Sequence, residues 1–145
     1  MSWPAGAPGV VELPDGRRVR GRGLREPLPA GPLPTFGVYL LGRPPEPFEW
    51  DYQWIKWRDF GTPSDREAAI DVLRVAYARA DTERVELACS GGTGRTGTAF
   101  ALLAVFAGIS PDTAVDWVRA HYRGRAVETP WQRKWIVAAA RITDC

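Results

Sequence analysis

The sequence contains few of the residues that form metal sites or disulfide frameworks. Its 145 residues include two cysteines, one histidine and one methionine. A single histidine excludes a metal site that is built from several histidines. Two cysteines, Cys89 and Cys145, are too few to hold a small fold together through disulfides. We therefore expect a protein of the reducing cytoplasm that uses neither a metal nor another cofactor.

Long apolar runs and a strong charge imbalance are also absent from the sequence. The longest apolar stretch, residues 98–109, is too short to span a membrane, and we recognise no secretory signal peptide. The formal net charge is +2, which is too small to predict binding to nucleic acid. We therefore expect partners other than a membrane or a nucleic acid, and nothing in the composition predicts an oligomeric state.

Lysine is scarce, so arginine supplies most of the positive charge. Five arginines cluster near the N-terminus: Arg17, Arg18, Arg20, Arg22 and Arg25. The simpler interpretation of this cluster is a solvated hairpin and loop, and docking to an acidic partner is the alternative.

Apolar periodicity predicts three strands and four helices in the larger part of the chain. The expected strands cover residues 36–41, 51–57 and 85–89. The expected helices cover residues 64–80, 95–107, 111–122 and 130–141. Because strands alternate with helices, we predict a single α/β domain in which helices flank a central, mostly parallel sheet.

The N-terminal part of the chain is rich in proline and glycine. It contains a predicted hairpin with strands at residues 10–12 and 18–20. We assign residues 1–35 to an N-terminal extension that carries this hairpin, and we expect its first nine residues to be loosely tethered. Residues 36–145 form the main domain, and the two parts make one globular unit.

A glycine-rich loop between a strand and a helix is the most informative stretch of the sequence. Cys89 ends the strand, and Arg95 begins the helix. The five residues between them are small: Ser90, Gly91, Gly92, Thr93 and Gly94. Such residues let the backbone curl so that its N–H groups surround an anion at the helix N-terminus. With a thiol below and a guanidinium fork at the side, this bowl fits a phosphate group.

Residues 88–96 resemble the phosphate-binding signature of the cysteine-dependent protein tyrosine and dual-specificity phosphatases, in a small prokaryotic-type form. The family pattern is His-Cys-x5-Arg-Ser/Thr, and only the leading residue, Ala88, departs from it. The resemblance extends over about residues 36–141 and implies that residues 36–145 are a phosphatase-like catalytic domain. The implied activity is metal-independent hydrolysis of phosphomonoesters through a phosphocysteine intermediate. Cys89 would be the nucleophile, Arg95 would bind phosphate, and Thr96 would donate its hydroxyl to the sulfur.

The general acid is expected on the loop at residues 57–63, which looks like the mobile Trp-Pro-Asp loop of the family. Asp59 lies 30 residues before Cys89, and Arg58 stands where proline is common. The resemblance implies that Asp59 protonates the leaving oxygen and later activates the hydrolytic water. Asp65 is the second candidate, although an aspartate in a first helical turn is already explained by the helix dipole. Ser64 and Glu67 have the spacing of a capping box for that helix.

Gln132 has two interpretations of equal weight. The family often places a glutamine in a late loop near the site, which implies that Gln132 orients the hydrolytic water. Thr129 and Gln132 also have the spacing of a capping box at a helix start.

Two other functions remain open. The departures at Ala88 and Arg58 allow a weakly active or inactive module that binds phosphorylated residues. An acyl hydrolase with Cys89 and His121 is formally possible, but His121 falls late in an amphipathic helix, as a surface residue would. The expected partner is a phosphorylated protein or a small phosphomonoester. Because the glycine-rich loop has no lysine, we favour a phosphorylated side chain over an inositol phosphate or an RNA end, and we favour phosphotyrosine slightly over phosphoserine.

Overall fold

A computed structural model describes residues 1–143 and contains one five-stranded sheet in that part of the chain, so that Cys145 lies outside the described residues. The strands are β1 (Val10–Glu12), β2 (Arg18–Gly23), β3 (Phe36–Leu41), β4 (Asp51–Lys56) and β5 (Val85–Cys89). Their order in the sheet is β1-β2-β5-β3-β4, with only the β1–β2 pair antiparallel. The predicted α/β domain with a mostly parallel sheet is confirmed, and Cys89 ends the central strand.

Four helices complete the described part of the chain. They are α1 (Arg66–Arg79), α2 (Gly94–Phe106), α3 (Ala114–His121) and α4 (Pro130–Thr143). The apolar core joins residues of all four helices to Val19 of β2 and to alternate residues of β3 and β5. Within residues 1–143, none of these helices has the length and apolar character needed to cross a membrane.

Two predicted helix starts are wrong by a few residues. Asp65, rather than Ser64, is the N-cap of α1, because its carboxylate accepts a hydrogen bond from Ala68 N at 3.0 Å. Ser64 instead pairs with the end of β4, since its N–H donates to the carbonyl oxygen of Lys56 at 3.0 Å. Helix α3 begins at Ala114 and not at residue 111, because the preceding residues form a separate turn.

The N-terminal segment is an integral part of the sheet. Strand β2 lies between β1 and β5, and its parallel register places Arg20 opposite Glu86. The expectation of a loose start is wrong at Trp3, which is 2% exposed and donates its indole N–H to Val85 O at 2.7 Å. An indole that finds both apolar cover and a carbonyl partner holds the chain start against the sheet.

The face of β5 that is turned away from the core contains a buried charge cluster. Glu86 accepts hydrogen bonds from Arg20 at 2.6 Å, from Arg22 at 2.7 Å and from Tyr39 at 2.7 Å. We call these four residues the Glu86 cluster. The interpretation of the basic N-terminal segment as a solvated hairpin is therefore wrong for Arg20 and Arg22, which are both buried. The reason is the alternation of β2, which turns these two side chains toward the face that carries Glu86.

The Glu86 cluster also gives a physical reason for the small residue before Cys89. In the sheet register Ala88 lies directly between Arg22 and Tyr39. Tyr39 leans over Gly37, where an added Cβ would lie 2.2 Å from the tyrosine hydroxyl oxygen. Neighbours in register share a face of the sheet, so a large side chain at position 88 would compete for space with the two residues that reach Glu86.

Candidate active site

The loop of residues 89–95, here called the Cys89 loop, lies at the carboxyl end of the central strand, where ligands of open α/β sheets usually bind. The buried Cys89 sulfur accepts hydrogen bonds from Gly92 N at 3.1 Å and from Thr96 Oγ1 at 3.0 Å. The hydrogen bond that was expected from Thr96 is therefore present. Two donors aimed at one sulfur stabilise negative charge on it.

Glycine at position 92 is required for two independent reasons. Its φ of 76° lies in the left-handed region, which side chains other than glycine rarely adopt. An added Cβ would also lie 2.4 Å from Gly23 N at the end of β2. The close packing of β2 against the loop continues through two backbone bonds, from Leu24 N to Cys89 O and from Arg25 N to Ser90 O.

Two residues that follow α3 hold the Cys89 loop from outside. Arg123 Nη1 donates to Gly91 O at 2.9 Å and to Thr93 Oγ1 at 3.3 Å, and Tyr122 donates its hydroxyl to Gly92 O. The C=O and N–H of one peptide point in opposite directions. An outward Gly91 carbonyl therefore turns Gly92 N inward, where it meets the Cys89 sulfur.

These two bracing residues were missed in the sequence because no motif marks them. Burial raises the pKa of Tyr122 well above its ordinary value, so the hydroxyl keeps the proton that it donates. Burial by itself lowers the pKa of Arg123. The hydrogen bond to Glu26 and the charges of Tyr122, Glu26 and Cys89 outweigh burial, so the pKa lies above its ordinary value. Glu26 accepts from Arg123 Nη2 at 2.8 Å and fixes the guanidinium at the loop. The positive charge of Arg123 thus lies near the Cys89 sulfur. The two hydrogen bonds that this sulfur accepts also stabilise negative charge on it.

Arg95 is buried and has only part of its donor set occupied. Its Nη1 donates to Leu40 O at 3.0 Å and to Trp57 O at 3.1 Å, which ties the guanidinium to the ends of β3 and β4. Its Nε has no hydrogen-bond partner among the described residues. A buried donor without a partner costs about 1–3 kcal/mol. The edge of the fork formed by Nε and Nη2, of which only Nη2 lies near a carboxylate, has the geometry that binds an oxyanion.

Asp59 lies beside this arginine. Its Oδ1 is 3.5 Å from Arg95 Nη2, and its side chain is 52% exposed. Both residues border a cleft of about 350 Å³ that opens next to the Cys89 loop. The lining residues are Arg25, Leu41, Gly42, Arg43, Pro44, Arg58, Asp59, Ser90 and Arg95. The structure therefore brings the expected acid, the expected phosphate-binding arginine and the loop of the expected nucleophile to one place.

The loop of residues 57–63, here called the Asp59 loop, is held by aromatic and amide donors. Trp57 Nε1 donates to Gly61 O at 2.6 Å, and Trp131 Nε1 donates to Phe60 O at 2.5 Å. Phe60 has a φ of 61°, so the chain turns sharply directly after Asp59. Helix α4 thus begins against the loop that carries the expected acid.

Gln132 is a capping residue that also binds the Asp59 loop. Its Oε1 accepts from Glu128 N at 2.8 Å and from Thr129 N at 3.2 Å, while its own N–H donates to Thr129 Oγ1. Its Nε2 donates to Gly61 O at 3.0 Å, and the side chain is fully buried. The expected capping box is present. Orientation of a water by Gln132 stays a prediction, and it would require the Asp59 loop to release Gly61.

Two other candidate residues lie away from this cleft. Asp65 is occupied as the cap of α1. His121 is exposed, stacks on Trp117 with ring centroids 4.2 Å apart, and places Nδ1 at 2.7 Å from the Trp117 carbonyl. The acyl hydrolase interpretation is wrong, because it requires an imidazole at the Cys89 sulfur. In the part of the chain that the structure describes, no group of three or more His, Cys, Asp and Glu residues could hold a metal ion.

Comparison with known proteins gives consistent matches. The family model described as protein-tyrosine phosphatase matches residues 42–139. "Putative tyrosine phosphatase 067L" of Invertebrate iridescent virus 3 is 34% identical over 91 residues, which are 57% of this chain and 38% of that protein. Uncharacterized protein MJ0215 of Methanocaldococcus jannaschii is 32% identical over 85 residues, which are 58% of this chain and 52% of its own length. The chain therefore matches about half or less of these relatives.

A solved structure shares the fold over nearly the whole chain. Tk-PTP, in a crystal structure described as its active form, superimposes with a TM-score of 0.71 and 23% sequence identity. The match covers 92% of this chain and 97% of that one. At this identity the likeness concerns the arrangement of the sheet and helices.

Proposed function

This chain belongs to the protein-tyrosine phosphatase family, and from that membership we propose that it hydrolyses phosphomonoesters through a phosphocysteine intermediate. One observation carries the proposal: a buried thiol with two hydrogen-bond donors lies in the loop whose arginine, Arg95, has an Nε without a partner within residues 1–143 and an Nη2 that lies 3.5 Å from the Asp59 carboxylate. Nucleophile, anion site and acid are the three components that this reaction needs.

In the first step the Cys89 thiolate attacks phosphorus. An S–P bond forms while the bond from phosphorus to the leaving oxygen breaks. The Nε and Nη2 donors of Arg95 and the loop N–H groups bind the non-bridging oxygens, whose charge they stabilise in the transition state. Asp59, in its protonated form, gives its proton to the leaving oxygen.

In the second step water attacks the phosphocysteine. The Asp59 carboxylate takes a proton from that water, a new P–O bond forms, and the S–P bond breaks. Thr96 donates its hydroxyl to the departing sulfur, since it already does so at 3.0 Å. Inorganic phosphate leaves, and both residues return to their starting protonation states. None of these steps is assigned to a metal.

The proposed substrates are phosphorylated protein side chains, of the tyrosine or dual-specificity class, and small phosphomonoesters. A thiol nucleophile works only when reduced, so we place the activity in the cytoplasm. Gln132 takes no part in the first step, and we limit its role to holding the Asp59 loop and, after release of Gly61, the hydrolytic water.

The proposal is tested with p-nitrophenyl phosphate in the presence of a chelator. We expect turnover by the wild type, competitive inhibition by orthovanadate and no turnover by Cys89→Ser. Cys145→Ser is the matched control and should keep wild-type activity. Activity that survives in Cys89→Ser would contradict the mechanism. Absence of wild-type turnover, together with tight binding of a phosphopeptide, would favour the module that only binds phosphorylated residues.

A further inference from the structure

Three arginines border the mouth of the cleft, and each comes from a different loop. Arg25 follows β2, Arg43 follows β3 and Arg58 follows β4. These strands are parallel, so their carboxyl ends meet at one edge of the sheet. The topology therefore gathers the three guanidinium groups where β5 ends in the Cys89 loop.

Each of these loops is fixed to the phosphate site by a contact of its own. Arg25 N donates to Ser90 O, inside the Cys89 loop, at 3.1 Å. The strand before Arg43 and the segment before Arg58 each give a carbonyl to Arg95 Nη1. The Arg58 side chain passes Gly42, where an added Cβ would lie 3.7 Å from its Cγ. All three arginines are thus held near the site although their side chains are exposed.

The three arginines at the cleft have no carboxylate partner within residues 1–143, whereas several surface arginines elsewhere are paired. Four other arginines form ion pairs at 2.7–3.0 Å: Arg17, Arg18, Arg79 and Arg123. None of the three at the cleft makes a side-chain hydrogen bond or ion pair within residues 1–143. Among residues 1–143, Asp59 is the one acidic residue that lines the cleft, and it lies next to Arg95. The mouth of the cleft therefore has a positive potential that no side chain among residues 1–143 neutralises.

We propose that Arg25, Arg43 and Arg58, here called the arginine rim, form a second anion subsite beside the Cys89 loop. The subsite selects phosphomonoesters that carry a further phosphate or carboxylate close to the reacting phosphate. This inference rests on the proposed function and narrows its substrate class. The absence of lysine from the Cys89 loop favoured a phosphorylated side chain over a polyanionic inositol phosphate or an RNA end. The folded chain supplies the extra positive charge from three distant segments instead.

The chemistry of the rim favours planar oxyanions. A guanidinium fork binds carboxylate or phosphate through two parallel hydrogen bonds, and such charge-assisted bonds are about twice as strong as neutral ones. Because the rim borders the open side of the cleft, the second anion belongs to the molecule whose phosphate occupies the loop. That molecule is either a phosphopeptide with acidic neighbours or a small bisphosphate.

The test uses two matched pairs of substrates and p-nitrophenyl phosphate as the reference. One pair is a phosphotyrosyl peptide flanked by Asp and Glu and the same peptide with Asn and Gln. The other pair is an alkane bisphosphate and the alkyl monophosphate of the same length. We expect kcat/KM of the wild type to favour the acidic member of at least one pair about tenfold. This preference should shrink as the ionic strength rises toward 0.5 M.

The variant Arg25→Gln/Arg43→Gln/Arg58→Gln should bring the preference close to one. The double variant Arg25→Gln/Arg43→Gln leaves Arg58, the neighbour of Asp59, intact and should lose most of the preference for the acidic substrate. Arg74→Gln removes an exposed arginine of α1 outside this cleft and should leave the substrate preference unchanged. The substrate pair whose kcat/KM ratio falls in the variants identifies the source of the second anion.

Two outcomes separate failure of the inference from failure of the proposed function. Hydrolysis of p-nitrophenyl phosphate with equal kcat/KM within both pairs, or a preference that survives in the triple variant, would overturn the arginine rim alone. No hydrolysis of any substrate would overturn the proposed function. In that event the dissociation constants of the two peptides for Cys89→Ser decide about the rim, since binding needs no turnover.

Discussion

Two buried arginine sites lie three residues apart along β5, and they use their charges in opposite ways. At Glu86, two arginines and a tyrosine converge on one carboxylate at 2.6–2.7 Å. At Cys89, Arg95 keeps a buried Nε that has no partner among the described residues, and the carboxylate of Asp59, 3.5 Å from its Nη2, is half exposed. The first site is complete as the chain folds. The second is complete only when an anion binds.

The difference lies in which elements supply the counter-charge. The Glu86 cluster is built from β2, β3 and β5, and Trp50 Nε1 adds a hydrogen bond to the tyrosine hydroxyl at 2.7 Å. Burial, and then the charge of Glu86, raise the pKa of Tyr39 far above its ordinary value, so it remains a donor. Around Arg95, strand ends supply carbonyl oxygens and no charge. Rigid elements thus close one site, and loops leave the other open to a ligand.

Arg95→Lys should produce the largest effect and should act on the open site alone. We expect kcat for p-nitrophenyl phosphate to fall about 10³- to 10⁵-fold, as when an arginine that stabilises phosphoryl charge is lost. The free energy of unfolding should change by only about 1 kcal/mol, because a lysine can still reach the carbonyls of Leu40 and Trp57. Steady-state kinetics and urea unfolding measure the two, with Arg74→Lys as the control. A large loss of stability would show that Arg95 belongs with the closed site.

Asp59→Asn should slow turnover about 10²- to 10⁴-fold, the range expected for a positioned acid. The loss should be largest for an alkyl phosphate, whose leaving group needs a proton, and small for p-nitrophenyl phosphate. Asp65→Asn is the control, because that residue caps α1. Equal losses with both leaving groups would mean that Asp59 acts only through its contact with Arg95.

Glu86→Gln should show the reverse pattern at the closed site. It leaves two buried arginines without a carboxylate, so we expect about 3–5 kcal/mol of lost stability by urea unfolding. Glu83→Gln, which removes a partly exposed pair with Arg79, should cost less than about 1 kcal/mol. If the two substitutions have similar costs, the Glu86 cluster contributes no more than a surface pair. Folded Glu86→Gln should still hydrolyse p-nitrophenyl phosphate.

Arg123→Ala should have a smaller effect that links activity to the shape of the Cys89 loop. The Gly91 carbonyl loses its outward partner, so Gly92 N is held less firmly toward the Cys89 sulfur. We expect kcat to fall about tenfold and vanadate to bind more weakly, since both depend on the loop N–H groups. Arg125→Ala, an exposed arginine two residues on, is the control. Unchanged vanadate inhibition with reduced kcat would contradict the bracing role.

The smallest effect concerns the Glu26 carboxylate that holds Arg123. Hydrogen bonds from Arg123 and then from Gly23 N lower the pKa of Glu26 below its ordinary value of 4.5. A lowered folded-state pKa means stabilisation above pH 4.5 that is lost as the pH falls through the folded value. Because Glu26 is half exposed, Glu26→Gln should cost less than about 1 kcal/mol at pH 7. Urea unfolding should show the difference between the wild type and Glu26→Gln fading as the pH falls below 4.5, and a difference that stays constant with pH would contradict this role of Glu26.

Features with local sequence signatures were predicted well. The strand, the glycine-rich loop and the apolar helix around Cys89 follow one another within about 20 residues, so composition and period identify them directly. The α/β fold and the hairpin were found by the same signals. The start of α1 was missed because Ser64 and Asp65 are both good caps, and the pairing of Ser64 with β4 decides between them.

Features that depend on distant pairing could not be predicted. Whether Arg20 and Arg22 are solvated depends on the register of β2 against β5, which lies more than 60 residues further along the chain. The roles of Tyr122 and Arg123 depend on how the end of α3 meets the Cys89 loop, and no local pattern encodes that contact. The arginine rim likewise exists only after three strand ends have come together.

The position of β2 has a consequence for the order of events during synthesis. The β1–β2 hairpin leaves the ribosome long before β5 is synthesised. The edge of β2 that pairs with β5 in the folded sheet therefore stays unpaired during that time. Pairings this distant in sequence are slow to form, and a waiting edge can join another nascent chain. Alternating arginines discourage such joining, because like charges repel across two identical edges. We therefore expect the arginines that the completed sheet buries around Glu86 to oppose pairing of β2 with another chain before β5 is synthesised.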